Sequence, residues 1–424
     1  MSIFDTLKNY PWMVSLLEKA DRKIKAILLK NAASKNKNFF PEGDYKADVK
    51  NLANCMLCPN MCRFDCGSLQ AAQKETMSPA YKSRIGYFLS IGKIDPTKEE
   101  NKDFIDLIYM CSNEETCKVW CPFEFSVVSL LESVRDDLNA KGLMPEYCKM
   151  QIDKLKRTET IEEVNIFKTH HEKGIENIET NGNDEIYYYI GCQSMKVPEM
   201  IKGYIKILNK AGIKFSTNLE TKTCCGAPAF SIRELDVAKD LAEKNKKLIE
   251  KTGAKIVVSD CPGCVETLTK KYEMLGIDMN VEIFHIVKYI NMLLEEKKIE
   301  LKTSLPNEFN KVTIHDPCHL ARNQNDSTSI RKLCDKISGI DVLEPIHNRE
   351  NTHCCGWSGT LHWADKEIAL KEASNRIQEL KNTGAHIIIS ACPLCELGLS
   401  YGISNKDSNN IKILDISELL SRYI

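Results

Sequence analysis

No apolar run in this sequence approaches the roughly 18–20 uninterrupted residues that span a bilayer, so a membrane-embedded fold is not expected. The amino-terminal segment also lacks an apolar core followed by small residues, the mark of a secretory signal. The chain is therefore read as cytoplasmic, any membrane association being left to a partner subunit. An excess of one charge is missing too: 58 Lys and Arg stand against 59 Asp and Glu, a net charge of −1, which offers no basic surface for a nucleic-acid backbone. Neither a Gly-x-Gly-x-x-Gly fingerprint nor a Walker Gly-rich loop occurs, so flavin, nicotinamide or nucleotide chemistry would belong to a partner.

Cysteine, in contrast, is abundant, with 19 among 424 residues. A chain of this length is expected to fold as two to four domains with ample interior, at roughly 100–200 residues each. It needs no disulfides to be stable, and a cytoplasmic chain sits where disulfides rarely persist. The cysteines therefore point to metal or redox chemistry. Residues 12–29 space Met13, Leu17, Ala20, Ile24 and Ile27 as one apolar helical stripe, and 31–50 read as a polar linker. From 51 to about 135 Cys and Pro are dense and periodicity is short, as expected where metal rather than an apolar core holds the loops. Helical periodicity returns over 136–184 and ends in a polar stretch containing Gly174 and Gly182.

Residues 185–424 hold an internal repeat. The first unit opens with the apolar run Ile186–Ile190 and meets Cys192. It then reaches Cys224-Cys225-Gly226, crosses a long helix and enters Ile256-Val257-Val258 before Cys261-Pro262-Gly263-Cys264. The second opens with Val312-Thr313-Ile314 and meets Cys318. It reaches Cys354-Cys355-Gly356, crosses a helix and enters Ile387-Ile388-Ile389 before Cys392-Pro393-Leu394-Cys395. Short β-branched runs alternating with amphipathic helices predict parallel βαβ units, an α/β fold in each half. The cysteines fall just after the strands, where open α/β sheets build their sites. Five thiolates per unit are one too many for tetrahedral zinc or for a cube with one ligand per iron. Either one thiol is spare or the cluster is not a simple cube. A donor set of soft thiolates favours iron–sulfur over mixed-ligand zinc.

This spacing, together with His315-Asp316-Pro317-Cys318-His319-Leu320 and Ser259-Asp260-Cys261, resembles the cysteine-rich CCG domains of heterodisulfide reductase catalytic subunits. Related domains occur in iron–sulfur subunits of glycolate, lactate and anaerobic glycerol-3-phosphate dehydrogenases. The resemblance implies two duplicated CCG domains about a pseudo-twofold, over 185–305 and 306–424. It also implies a non-cubane [4Fe–4S] cluster on Cys192, Cys224, Cys225, Cys261 and Cys264, and another on Cys318, Cys354, Cys355, Cys392 and Cys395.

Upstream, Cys55-x2-Cys58-x3-Cys62-x3-Cys66 and Cys111-x5-Cys117-x3-Cys121-Pro122 resemble the halves of a two-cluster bacterial ferredoxin, in which the fourth cysteine of each run crosses to the other cluster. That implies a mainly α-helical ferredoxin-like domain over 51–135, after an extension and linker over 1–50 and before a helical connector over 136–184. Cys55, Cys58, Cys62 and Cys121 would hold one cubane, and Cys66, Cys111 and Cys117 the other. Glu114 stands where the last set would have its fourth cysteine, so a carboxylate ligand, a labile iron or a three-iron cluster is expected there. One cluster only, or zinc, are the alternatives.

Cys148 and Cys334 fit no motif and read as ordinary thiols. His315 and His319 flank a candidate ligand in the second unit alone, as structural histidines or proton donors. Gly226, Gly263 and Gly356 are expected to let backbone approach a cluster. The resemblance implies an anaerobic electron-transport oxidoreductase reducing a small-molecule disulfide, with a flavoprotein or other subunit as electron partner. An electron-transfer subunit of a flavin dehydrogenase and an iron–sulfur sensor or scaffold are the alternatives.

Overall fold

A computed structural model describes residues 21–22, 46–169, 175, 185–219, 223–301, 310–403 and 410–424. The helix expected over 12–29 lies outside the described residues, Asp21 and Arg22 excepted. Contacts divide the chain into Met1–Tyr45 and Lys46–Ile424, and the elements below all belong to the second unit.

Its first part is helical. Helices Val49–Met56, Pro79–Ser90, Lys102–Tyr109 and Val127–Ala140 surround a core that includes Leu52, Ile85, Ile108, Leu131 and Val134. The starts follow from the sequence: Asp48, Ser78 and Ser126 each accept a first-turn amide through the side chain, and Pro79 needs no amide partner at its position. Gly86 lies where these helices cross closest. A Cβ there would stand 2.9 Å from Val134 Cγ2 and 3.4 Å from Leu52 Cδ2.

Two four-stranded parallel sheets follow. The first comprises β1 (Ile186–Tyr189), β2 (Phe215–Thr217), β3 (Ile256–Ser259) and β4 (Glu282–His285) in the order β2-β1-β3-β4. The second comprises β5 (Lys311–Ile314), β6 (Asp341–Val342), β7 (Ile387–Ser390) and β8 (Lys412–Asp415) in the order β6-β5-β7-β8. Every pairing is parallel, with Tyr188 beside Val258 in one sheet and Ile314 beside Ile389 in the other. Parallel strands covered by helices on both faces read as continuous apolar runs, which is why the central strands stood out in the sequence.

The two halves pack reciprocally. Helix Pro198–Lys210 of the first lies against the terminal helix Ile416–Leu420 of the second, where Ser417 donates its hydroxyl to Met200 O (2.9 Å) and a Cβ on Gly203 would meet Ser417. In turn Ile286–Glu295, the last helix of the first half, lies against Ser329–Asp335, and Asn291 donates to Ser329 O (3.0 Å). The same exchange recurs nearer the cysteines. The helix after Cys261 meets the segment after Cys318, and the helix after Cys392 meets the segment after Cys192.

Candidate metal centres

The ten cysteines of the repeats all lie just beyond the carboxyl ends of strands or in the loops beside them. Asp260 ties the first set together. Its carboxyl accepts from Gly191 N (3.0 Å), Ser194 Oγ (2.8 Å) and Tyr188 OH (2.8 Å), joining the end of β1 to the Cys261 loop. Burial pushes Asp260 up to about 7. Gly191 permits that approach, since a Cβ would stand 3.0 Å from Cys261 Cβ.

Within each set the thiols touch in sequence. Cys192 Sγ is 3.8 Å from Cys224 Sγ, and side-chain contacts continue through Cys225 and Cys264 to Cys261. The second set runs from Cys318 through Cys354, Cys355 and Cys395 to Cys392. The two sets meet, because the Cys261 and Cys392 side chains interact with each other. None of the ten is more than 8% exposed.

Local geometry explains the Cys-Pro-x-Cys pattern. Cys261 and Cys392 each cap a helix that starts with proline, and Cys264 and Cys395 fall in the first turn. Both thiols of each pair thus sit at a helix amino end, where free amides favour negative sulfur. After each vicinal pair the chain turns left-handed, with φ of +89° at Gly226 and +76° at Gly356, and each glycine amide donates to the first sulfur of the pair, at 3.4 Å to Cys224 and 3.2 Å to Cys354. Their α-carbons also face the following helix: a Cβ on Gly226 would stand 3.7 Å from Ala238 O, and one on Gly356 would overlap Ala369 O. A Cβ on Gly263 would stand 3.8 Å from Cys261 Sγ, in ordinary contact.

The amino-terminal cysteines form two groups. Cys55 lies within electrostatic reach of Cys58 and Cys121, and Cys62 of all three. Cys117 interacts with Cys111, Cys66 and Cys62. Beside Cys66 and Cys111 stands Lys82, 2% exposed, which donates to Ser68 Oγ (3.4 Å) and to Met110 O. Arg135, fully buried, also acts on Cys111 and donates to Ile108 O. Sequence reading missed both cations, which only tertiary packing brings to the thiols.

Glu114 interacts with Cys66 and Cys111. It is buried, accepts from Gly67 N (3.1 Å), and lies 3.6 Å from the Arg322 guanidinium of the second half. Ligand atoms of Glu114, Glu372 and Cys354 all lie within 4.8 Å of one another. Burial, then the Glu114 charge, push Glu372 well up. The Cys111 carbonyl accepts from both Thr360 N (3.0 Å) and Leu361 N (3.2 Å), so this group is stitched to the second half.

Cysteines of both repeats line one cavity of about 670 Å³, together with His319 and Trp357. His319 Nδ1 is 2.5 Å from Glu266 Oε2, and its Nε2 is 3.3 Å from Ser358 Oγ. Burial opposes its protonation, yet the charges of Glu266 and Cys318 push it up to about 9. His315 is buried, with Arg376 Nε donating to its Nδ1 (3.1 Å). That bond assigns the ring proton to Nε2, which is buried with no hydrogen-bond partner among the described residues, and ligand atoms of His315, Cys355 and Cys395 lie within 4.8 Å of one another. Cys148 and Cys334 are buried singly, and burial pushes both thiols up to about 12.

Thiols packed this closely cannot all ionise without positive charge among them. Hydrogen bonds to neighbouring thiols, then burial, push Cys224, Cys264 and Cys395 well up. A cationic metal cluster would answer that need, and a set of soft sulfurs fits iron–sulfur better than a hard ion.

Comparison with known proteins agrees. The family model described as Cysteine-rich domain (CCG) matches residues 186–269 and 312–400. The chain is 27% identical over 383 residues to one subunit of the fumarate reductase (CoM/CoB) of Methanothermobacter marburgensis, covering 89% of this chain and 73% of that protein. It is 27% identical over 410 residues to one subunit of the dihydromethanophenazine:CoB–CoM heterodisulfide reductase of Methanosarcina acetivorans, covering 89% and 97%. Identity is 25% over 335 residues to the EtfAB:quinone oxidoreductase of Syntrophomonas wolfei, covering 74% and 46%. Among the described residues no helix is long and apolar enough to cross a membrane. The chain thus carries the CCG cysteine-rich domain twice and is a homologue of these heterodisulfide reductase and fumarate reductase subunits and of related iron–sulfur oxidoreductases.

Proposed function

We propose that this chain is an oxidoreductase subunit that takes electrons at its ferredoxin-like amino-terminal cysteines and delivers them to two non-cubane clusters, where a disulfide is reduced. The observation that carries this reading is the contact of Cys261 with Cys392 at a single cavity lined from both repeats. Cys192, Cys224, Cys225, Cys261 and Cys264 would hold one cluster, and Cys318, Cys354, Cys355, Cys392 and Cys395 the other. The reciprocal helix contacts support a pseudo-twofold between them. When bound, the clusters supply one-electron transfer and iron positions with affinity for sulfur.

The chain's own residues do the rest. The S–S bond of the substrate breaks, two electrons arrive from a flavoprotein or other partner subunit, and two protons complete two thiols. His319, held protonated by Glu266, carries one proton at the cavity wall. Trp357, with Tyr401 packed on it at 4.7 Å between ring centroids, provides an apolar wall. Cys66, Cys111, Cys117 and Glu114 would hold the cubane nearer the second repeat, beside the buried charges of Lys82 and Arg135. Similarity to the EtfAB:quinone oxidoreductase favours a second reading, an electron-transfer subunit without disulfide chemistry.

Side-by-side Cys225→Ser and Cys355→Ser variants separate the two readings. Anaerobic protein should hold about 16 irons, or about 15 with one three-iron site, at four per cluster. Each variant should lose disulfide turnover driven by reduced viologen while its amino-terminal clusters still accept electrons. Normal turnover in either one would refute the paired site and leave the relay.

A further inference from the structure

Away from the cysteine cavity, three segments bring imidazole and carboxylate groups together. His347 Nε2 and His353 Nε2 each lie 3.6 Å from the same oxygen, Asp65 Oδ1. Behind the rings, Glu379 Oε1 is 2.8 Å from His347 Nδ1, and Glu379 Oε2 is 3.5 Å from His353 Nδ1. Glu379 is itself held by Arg376, 2.6 Å away and fully buried, and by the His347 amide at 2.8 Å. His347 hydrogen-bonds Glu379 through Nδ1, His353 Nδ1 lies near the same carboxylate, and both rings turn Nε2 toward Asp65. His353 Nε2 is buried and has no hydrogen-bond partner among the described residues. An unpaired buried ring nitrogen is costly unless something binds it.

The geometry points to a divalent transition-metal site, of the zinc class, formed by His347, His353 and Asp65 with Glu379 as its outer carboxylate. Bonds of about 2.0–2.1 Å from zinc to imidazole nitrogen and carboxylate oxygen place tetrahedral neighbours about 3.3 Å apart, close to the separations present here. Histidine ligands that donate their other nitrogen to a carboxylate have their tautomer and orientation set in advance. Two neutral imidazoles and one carboxylate leave a net negative set, which a divalent ion reverses. The rings now stack at 3.8 Å between centroids with 19° between planes. Binding requires them to splay so that both lone pairs converge, and the His347 ring, 32% exposed, has room to turn.

The site has a distinct position. Asp65 precedes Cys66 of the amino-terminal group, and His353 precedes Cys354 of the second repeat. An ion there would clamp the amino-terminal region to the second cysteine-rich domain, and the inference does not depend on disulfide chemistry.

The test uses anaerobically purified holoprotein stripped of adventitious metal by a chelator too weak to remove iron, with iron content checked before and after. Zinc sulfate is then added, and zinc-edge X-ray absorption reads zinc alone while the iron stays silent. The expected result is one zinc per chain with a first shell of nitrogen and oxygen at about 2.0–2.1 Å and no sulfur. His347→Ala and Asp65→Asn should each remove it at unchanged iron content. Glu379→Gln should weaken binding about 10- to 100-fold. If Asp65→Asn protein loses iron, the more exposed His347 variant carries the test. Failure to retain zinc in native holoprotein, a sulfur shell near 2.3 Å, or zinc unchanged in iron-replete His347→Ala protein would overturn the assignment.

Discussion

Replacing Gly356 by alanine should damage the second cysteine site far more than Gly226→Ala damages the first, although the two glycines occupy matching places in the repeats. Both have positive φ, at +76° and +89°, so each alanine incurs about 1–2 kcal/mol of left-handed backbone strain. They differ in surroundings. At Gly226 the nearest atoms to a new Cβ are 3.6–3.7 Å away, ordinary contact. At Gly356 a Cβ would overlap Ala369 O and approach Ala373 N at 3.1 Å, both in the backbone of helix Lys366–Lys381. Overpacking against atoms that cannot rotate away adds about 1–3 kcal/mol. That difference corresponds to a roughly 5- to 160-fold larger opened population at the second site. The Gly356 amide donates to Cys354 Sγ, so displacing it also pulls at a candidate ligand. Bleaching of the visible cluster absorbance by an anaerobic iron chelator reads this opening. About four irons should leave Gly356→Ala protein in a fast phase that Gly226→Ala protein shows much more weakly. Equal rates in the two variants would refute the steric argument.

Glu114→Cys should give the amino-terminal group on Cys66, Cys111 and Cys117 a softer fourth donor, raising its iron retention and shifting its electron paramagnetic resonance signal alone; an unchanged spectrum would show that Glu114 is not at a cluster. His315→Phe removes a polar ring within 4.8 Å of the Cys355 and Cys395 sulfurs and should lower the reduction potential of the second repeat's cluster, since a polar N–H beside the sulfurs stabilises the added electron. Tyr189→Phe is the control in the first repeat, where the hydroxyl is spent on Thr223 O (2.8 Å), and potentiometric titration should show no comparable shift there.

The central strands were legible because each is a short apolar run that ends at a cysteine: the runs at 186, 256, 312 and 387 are β1, β3, β5 and β7. The edge strands were not. β6 has two residues, and β4 and β8 begin with exposed Glu282 and Lys412, so neither length nor apolar continuity marks them. Spacing likewise shows which cysteines are near in sequence, but not that Cys261 would meet Cys392, a contact created by helices exchanged between the halves. Lys82, Arg135 and Glu372 were invisible for a related reason. A charged residue inside an amphipathic helix looks solvated until the opposite face is known to be covered.

The double grip of Thr360 and Leu361 on the Cys111 carbonyl bears on how the molecule is made. Synthesis runs from the amino terminus, so Cys111 leaves the ribosome about 250 residues before its partners exist. At about 5–20 residues per second that interval lasts roughly 12–50 s. Throughout it, Cys66, Cys111 and Cys117 lack the surface that encloses them in the finished chain. Iron delivered then meets an open, incomplete group, whereas iron delivered after the last repeat has folded meets a closed one. Maturation of the Cys66, Cys111 and Cys117 group is thereby tied to folding of the second repeat.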